Sequence, residues 1–356
     1  MKTRFLLESH RTPELNGEFN PSLPTCLDDA GHPYFGRILH HLNRLLGETD
    51  LSFVVTTSNV ETLPEYGRGV ISCILEDEQS KETFYRSKVG AIFRCYPTFP
   101  SHLDGVHGFK PIHRLGASYV VARDFLRGAP GRLRTLQAKV GRQKIAPIFE
   151  IPIGYHAHDT VDFIPFEMRE WDAFFCGSIS HLRKNSPDEI LAKFRPKSLE
   201  RLQMKAAIEQ TLEEHPEVRI DRSYTASFNE SIASSQQSYL EKMMNSRFSL
   251  APRGGVPHTY RFFEALRYGT IPIGETFPKS VEGAPFVRLR QWDDLSETLS
   301  HLLEDRARLK ELHENALTWW ETQEAEEVVA RRMFSQLCEM GMAVEKTEVI
   351  SAKQVA

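Results

Sequence analysis

The segment 249–273 constrains this chain most, because its pattern places a strand, a loop, a helix and a second strand in direct succession. Apolar residues predict short buried strands at 248–251 and 270–273. Between them, Thr259 stands where a helix N-cap is expected and Gly269 where a C′ residue ends the helix. Glycine and proline mark the loop before the helix. The segment therefore predicts one tightly connected α/β unit.

The loop and the start of this helix form a candidate anion site. Gly254 and Gly255 lack a Cβ and tolerate a positive φ, so the loop backbone can approach a ligand closely. His258 leads into the helix, whose first N–H groups and dipole suit phosphate. Arg261 and Glu264 lie three residues apart and share one face. At about 1.5 Å per residue, Glu264 lies roughly 7 Å from a phosphate at the cap, where the ribose of a nucleoside diphosphate would lie.

The whole string resembles the C-terminal signature of exostosin-type glycosyltransferases. The matching positions are Pro252, Gly254, Thr259, Arg261, Glu264, Ala265, Gly269, Ile271, Pro272 and Ile273. Thr259 stands where serine is common, and Ile273 replaces the usual valine. The resemblance weakens back to Trp171 and does not extend into the first half of the chain. The alternative is an ordinary α/β unit with a glycine loop and an Arg–Glu surface pair.

The resemblance implies an α/β fold with two Rossmann-like domains facing a cleft, the GT-B arrangement, followed by C-terminal helices. We expect an acceptor domain over 1–150, a nucleotide-sugar domain over 151–325, and a helix with a frayed tail over 326–356 that packs back towards the first domain. The implied activity is a glycosyltransferase, inverting, that moves a sugar from a nucleotide diphosphate to a hydroxyl acceptor. We expect a uridine diphosphate (UDP) sugar as donor.

The donor site needs groups that stabilise a leaving diphosphate. The predicted donor-binding residues are Gly177, Arg183, Arg253, Gly254, Gly255, His258, Thr259, Arg261 and Glu264. Arg261 suits a bidentate phosphate contact, with Arg253 or Arg183 as a second. No Asp-x-Asp occurs in the sequence, so we expect a metal-independent reaction with no cofactor beyond the nucleotide sugar. The cluster His156, His158, Asp159 and Asp162 could ligate a metal, but its irregular spacing favours a solvated linker.

Inversion needs a general base that takes the proton of the acceptor hydroxyl. The loop after the apolar segment 89–96 carries Asp104, His102 and His107, which are the candidates in that order. The alternative for this loop is a set of hydrogen-bonded surface histidines.

Apolar segments alternate with helical or loop segments along the chain. We predict strands at 51–56, 69–75, 89–96, 118–122, 171–177 and 218–220, and helices at 34–46, 199–212 and 239–245. From Trp292 onwards the chain is predicted to be nearly all helical. The early strands are apolar on both faces, which is typical of a mostly parallel sheet covered on both sides.

The net charge and the cysteine content limit which partners and which cellular compartment we expect for this protein. The net charge of −4 argues against nucleic acid as a stable partner. Five scattered cysteines indicate reduced thiols. No window approaches the roughly 20 apolar residues of a membrane span, and the apolar stretch at the N-terminus is too short for a signal peptide. We therefore expect a cytoplasmic enzyme, with peripheral attachment at the inner face of the membrane as an option.

The segment from Arg123 to Lys144 carries seven basic residues and one acid. It suits an anionic membrane surface or a lipid-phosphate-linked acceptor, and the alternative is a solvated helix face. Other functions stay open as well. A non-catalytic nucleotide-sugar-binding or scaffold protein would keep the donor site without turnover, and a sugar transferase acting on DNA or protein would use the basic run. A sugar-nucleotide epimerase generally needs a Gly-x-Gly-x-x-Gly fingerprint, which the sequence lacks.

Overall fold

The computed structural model describes residues 3–10, 12–47, 49–57, 59–77, 81–96, 111–156, 162–179, 195–225 and 236–344. In these ranges the chain forms two sheets covered by helices, so the predicted α/β class is confirmed. The strands of both sheets are mainly parallel, as in Rossmann-like folds.

The first sheet is built by the first half of the chain. Its strands are β1 (Arg4–Glu8), β2 (Gly17–Glu18), β3 (Ser52–Thr56), β4 (Gly67–Ile74), β5 (Val89–Arg94) and β6 (Ile148–Glu150), in the order β2-β1-β3-β4-β5-β6. Among the strand pairs that the structure describes in this sheet, only β1–β2 is antiparallel. Helix α1 (Pro33–Leu46) lies between β2 and β3 in the chain and is followed by Gly47, whose φ is 62°. The carboxyl ends of the parallel strands therefore meet at one edge of the sheet.

The second sheet has the topology that matters for the site. Its strands are β7 (Trp171–Ser178), β8 (Ile220–Thr225), β9 (Ser246–Leu250), β10 (Ile271–Gly274) and β11 (Val287–Arg288), in the order β11-β10-β9-β7-β8. Every neighbouring pair is parallel. Chain order reverses between β7 and β9, because β8 lies on one side of β7 and β9 on the other. Ligands of open α/β sheets bind outside the carboxyl ends of strands at such a switch point.

Seven further helices follow α1. They are α2 (Pro111–Val140), α3 (Pro196–Glu214), α4 (Gln236–Met244), α5 (Tyr260–Arg267), α6 (Leu295–Glu304), α7 (Arg306–Trp319) and α8 (Glu326–Glu339) in the part that the structure describes. A π-helical turn (Trp320–Glu324) joins α7 to α8. In these ranges no helix is both long enough and apolar enough to cross a bilayer.

The structure corrects one predicted element and shifts another. The segment 118–122 lies inside the long helix α2 and is not a strand. A short apolar run does not distinguish a buried strand from part of a helix, and the apolar positions on both sides continue at helical spacing. The strand predicted at 218–220 instead spans Ile220–Thr225, with only its first residue shared.

The two halves of the chain pack against each other through the C-terminal helices. Helix α8 contacts α1, and Val329 and Met333 belong to the same buried cluster as Phe5 and Phe53 of the first sheet. The Tyr34 hydroxyl donates to the Glu324 carbonyl at 2.6 Å. The division into domains at 150 and 325 stays a prediction, as does the GT-B arrangement.

Candidate functional site

The candidate site lies at the switch point of the second sheet. The loop 251–259 leaves the carboxyl end of β9 and leads into α5, while Gly177 and Ser178 end the neighbouring strand β7. Parallel pairing places these strand ends at one edge of the sheet. The predicted donor-binding segment and the predicted Gly177 therefore meet at the edge where α/β folds bind ligands.

The end of α5 is locked by a Schellman motif. Thr270 N–H donates to the Ala265 carbonyl at 2.9 Å and Gly269 N–H to the Leu266 carbonyl at 3.1 Å. Gly269 has a φ of 64°, and a Cβ there would lie 2.5 Å from the His313 ring. Glycine is therefore required for both the backbone and the packing, as its predicted C′ role implies.

Three side chains around the start of α5 have buried polar atoms without a hydrogen-bond partner among the described residues. These atoms are His258 Nδ1, Thr259 Oγ1 and Arg261 Nε. Thr259 takes the extended N-cap conformation, with a φ of −138°, but its hydroxyl makes no capping hydrogen bond. A buried polar group left unsatisfied costs about 1–3 kcal/mol, so three of them within four residues make the start of α5 a candidate site for a polar ligand.

Arg261 is held across the end of β7. Its guanidinium lies 4.6 Å from the centre of the Phe175 ring and donates to the Cys176 carbonyl. A Cβ on Gly177 would lie 2.9 Å from Arg261 Nη2, and the φ of Gly177 is 153°. Gly177 thus makes room for the guanidinium, which links these two predicted donor-binding residues by direct packing.

Glu264 is 3% exposed, and both of its carboxylate oxygens are hydrogen-bonded. Oε1 accepts from the His156 N–H at 3.1 Å, and Oε2 accepts from the Tyr239 hydroxyl at 2.8 Å. Burial, aided by the Glu264 charge, raises the pKa of Tyr239 well above its ordinary value, so this hydroxyl stays a donor. Glu264 therefore ties α5 to the segment after β6 and to α4, and a ribose would have to exchange with one of these partners.

His258 connects the carboxyl edges of the two sheets. Its Nε2 lies 3.0 Å from Glu150 Oε1 at the end of β6, and its ring packs edge-on against Tyr96. The Ser280 hydroxyl also lies 3.4 Å from Nε2. Burial alone would raise the pKa of Glu150, yet the hydrogen bond and charge of His258 hold it below its ordinary value. The predicted donor-side histidine thus contacts the first half of the chain as well.

Arg253 is more buried than a phosphate-binding side chain is expected to be, and the two loop glycines do not adopt the positive φ that the sequence allows. Arg253 is 1% exposed, and its backbone N–H donates to Glu200 at 3.1 Å. Its carbonyl accepts from Arg201 Nε at 3.4 Å. Neither Gly254 nor Gly255 has a positive φ. A Cβ on Gly254 would lie 3.3 Å from the His258 carbonyl, so the absent side chain serves the tight turn of the loop itself.

Two carboxyl groups near the loop 251–259, those of Glu200 and Glu275, have raised pKa values. Burial raises the pKa of Glu200, against the lowering effect of Arg253. Burial and the Glu200 charge raise the pKa of Glu275 to about 8. Glu275 lies just after β10, and its Oε1 accepts a hydrogen bond from the backbone N–H of Trp292 at 2.7 Å.

This raised pKa predicts a pH-dependent stability. The unfolded chain loses the Glu275 proton near the ordinary pKa of 4.5, whereas the folded chain keeps it up to about 8. The contribution of Glu275 to the free energy of unfolding is therefore complete below pH 4.5 and is lost as the pH rises to about 8. Glu275→Gln keeps the acceptor for Trp292 and should stabilise the fold by roughly 1–2 kcal/mol at pH 8, allowing for partial exposure. Thermal melts at pH 5 and pH 8 test this, and an equal effect at both would contradict it.

The remaining predicted site residues lie outside the described ranges. They are the three candidate bases Asp104, His102 and His107, together with Arg183, His158 and Asp159. Within the described ranges no group of three or more His, Cys, Asp or Glu side chains could hold a metal ion.

Sequence reasoning missed Glu150, Tyr239 and Glu200 at this site. Glu150 ends the short strand β6, and its position at the carboxyl end of a parallel strand is the signal that could have identified it. Tyr239 and Glu200 lie in predicted helices, where neither residue has a distinguishing local pattern. Their contacts with Glu264 and Arg253 depend on packing between elements distant in sequence.

Comparison with known proteins supports a glycosyltransferase relationship for the second half of the chain. A family model described as the RXYLT1 C-terminal domain matches residues 174–336. That domain is an exostosin-related glycosyltransferase C-terminal domain, so the chain is similar to a xylosyltransferase-like relative over less than half of its length. No curated protein matches the chain.

Among solved structures, a chain titled "Glycosylation Associate Protein (Gap123) complex from Streptococcus agalactiae" is similar over 78% of this chain and 55% of that chain, at 8% identity and a TM-score of 0.38. This chain thus spans about half the length of that relative. So low a TM-score does not establish a shared fold.

Proposed function

We propose that the protein is a glycosyltransferase that moves a sugar from a nucleoside diphosphate, UDP in our expectation, to a hydroxyl acceptor. The observation that carries the proposal is the set of three unpartnered buried polar atoms, on His258, Thr259 and Arg261, at the start of α5. They lie at the carboxyl edge of a parallel sheet, at its switch point. The match of 174–336 to a glycosyltransferase-related domain supports the same assignment.

In the proposed donor site, the diphosphate binds at the start of α5 and the ribose binds one turn further along the helix, at Glu264. The diphosphate would lie at the helix start and accept from the first N–H groups, the Thr259 hydroxyl and the Arg261 guanidinium. These groups would stabilise the negative charge that develops on the leaving diphosphate. Glu264 would accept from the ribose in exchange for the Tyr239 hydroxyl, its partner at 2.8 Å. Because fixed donors would supply this stabilisation, we propose a reaction without a metal. We propose inversion because the resemblance to exostosin-type enzymes implies it.

The general base stays a proposal that rests on sequence alone. Asp104, followed by His102 and His107, would take the acceptor proton, and all three lie outside the described residues. The acceptor would bind at the carboxyl edge of the first sheet, which faces the donor loop through the contact between Glu150 and His258. We propose the acceptor domain over 1–150 and the donor domain over 151–325 on this basis.

A thermal-shift series with nucleoside diphosphates tests the donor assignment. A ligand at 100 times its Kd stabilises the fold by about 2.7 kcal/mol, so UDP or a UDP-sugar should raise the Tm of the full chain clearly. The shift should persist in the presence of EDTA if no metal takes part. If no nucleoside diphosphate raises the Tm at millimolar concentration, the proposal fails. A shift without release of UDP from any UDP-sugar, with a range of hydroxyl acceptors, would favour the non-catalytic binding protein.

A further inference from the structure

Helix α2 exposes an apolar stripe along its whole length. The stripe consists of Leu115, Tyr119, Ala122, Leu126, Ala129, Leu133, Leu136 and Val140, and is called the outer stripe below. These positions alternate at spacings of four and three residues, which keeps them on one side of a helix. Leu115 and Leu126 are 68% exposed and Val140 is 78% exposed. Large apolar side chains this exposed, and in a single row, indicate an interaction surface.

The opposite face of α2 is fixed on the protein body, so the stripe cannot turn inwards. Ala117, Asp124, Thr135 and Ala138 are buried on that face. A Cβ on Gly131 would lie 2.1 Å from the Glu82 carbonyl oxygen, which shows how closely the helix backbone approaches the first half of the chain. At about 100° per residue, these positions lie roughly opposite the outer stripe.

Basic side chains line both sides of the stripe. Arg123, Arg127 and Arg134 lie on one side, and Arg114, Arg132 and Lys139 on the other, as follows from about 100° per residue. Arg127, Arg134 and Lys139 are exposed. The only acid between 111 and 144 is Asp124, which pairs with Arg123 at 2.9 Å and lies 3.8 Å from Arg127, so the other basic side chains of the segment keep an excess of positive charge. The accessible charge around the stripe is therefore positive, although the whole chain carries −4.

We propose that α2 docks the protein on an anionic membrane surface. The outer stripe would enter the boundary between headgroups and acyl chains, and the basic side chains would contact lipid phosphates. A flat partner suits the geometry, because the stripe lies on a convex helix face and extends over roughly 37 Å. A second copy of the chain suits it less, since two α2 helices packed along their stripes would bring rows of arginine and lysine together. This proposal is independent of the donor site.

Co-sedimentation of the full chain with lipid vesicles tests the proposal. We expect binding to phosphatidylcholine vesicles that contain phosphatidylglycerol, weaker binding to phosphatidylcholine alone, and loss of binding at high salt. The double variant Leu126→Glu/Leu133→Glu should reduce the partition by about tenfold or more, because it places charge in the stripe. A second double variant, Arg134→Glu/Lys139→Glu, should reduce it similarly on anionic vesicles only. Glutamate suits a helix, so the leucine variant should keep the parental Tm. The second variant also loses the stacking of Arg134 on Phe84, whose ring centre lies 4.3 Å from the guanidinium, so a small decrease of its Tm is expected.

The matched control is Leu202→Glu on α3, where the leucine is 49% exposed and lies outside the stripe. It should bind vesicles as the parent does. Absence of vesicle binding, or equal binding by the parent and both double variants, would overturn the proposal. So would a parental dimer in light scattering that Leu126→Glu/Leu133→Glu dissociates without any vesicle binding, since the stripe would then be an interface between copies. UDP binding, measured on the same variants, should stay unchanged, which keeps this test separate from that of the donor site.

Discussion

Arg261→Ala is expected to weaken UDP binding by about 10- to 100-fold while the chain stays folded. A hydrogen bond to a charged group contributes about 1.5–3 kcal/mol, and the proposed bidentate contact to phosphate is of this kind. The folded state should lose less, because the guanidinium is only half-buried. Its described contacts are the Cys176 carbonyl and the Phe175 ring. Titration calorimetry with UDP gives the Kd, and a thermal melt without ligand shows whether the fold is kept.

Three further variants test whether UDP binding depends on the shape and position of the Arg261 guanidinium and not merely on a positive charge. Arg261→Lys keeps the charge but not the planar fork, so it should recover only part of the affinity. Gly177→Ala should displace the guanidinium, since its Cβ would lie 2.9 Å from Arg261 Nη2, and should weaken UDP binding. Because the φ of 153° also strains an alanine there, a thermal melt of this variant measures the accompanying loss of stability. Arg290→Ala is the control, because that side chain is 85% exposed on the same half of the chain. Unchanged UDP affinity in Arg261→Ala would refute the donor assignment.

Arg169→Met is expected to destabilise the fold by about 3–5 kcal/mol, the largest effect on stability that we predict. Arg169 is 1% exposed and joins the start of β9 to the turn after α5. Its guanidinium donates to the Ser246 carbonyl at 2.9 Å, to the Tyr268 carbonyl at 2.7 Å and to Thr270 Oγ1 at 3.1 Å. Methionine fills similar space but leaves these buried acceptors without their donor. Urea unfolding of parent and variant measures the loss.

Arg169→Lys refines this prediction. A lysine ammonium keeps a charge and three donors but cannot reproduce the planar fork, so an intermediate loss is expected. The control is Arg308→Ala, whose side chain is 49% exposed and pairs with Glu311 at the surface. Exposed ion pairs contribute about 0–1 kcal/mol, so the control should change the unfolding free energy little. If Arg169→Met is no more destabilising than Arg308→Ala, the buried network does not hold the second sheet as described.

Local sequence patterns predicted most of the helices and strands named here, but little of the packing between them. Helix α1 and strand β7 were found within a residue or two of their ends, because apolar periodicity and a terminal glycine mark them. The segment 118–122 was assigned to a strand, because four or five apolar residues have no period of their own. Its helical state follows from packing, with Ala117 buried against Leu199 of α3.

The candidate site shows the same division. The glycine loop, the N-cap position at Thr259 and the face shared by Arg261 and Glu264 were visible in the sequence, because loop and helix chemistry is local. Sequence reasoning could not find that Glu264 is bonded to Tyr239 and to the His156 backbone, or that His258 reaches Glu150. These contacts join residues separated by 25 to 108 positions.

The sequence by itself determined the α/β class and the strand–loop–helix–strand unit around α5, because these depend on periodicity and on interactions within a few residues. It also supplied the residue types on which the proposed donor site rests. Only the tertiary structure decided the strand order that creates the switch point, the burial of Arg253 and the outward direction of the stripe on α2. Strand pairing and helix orientation are set by which surfaces exclude water together, and that depends on the whole chain.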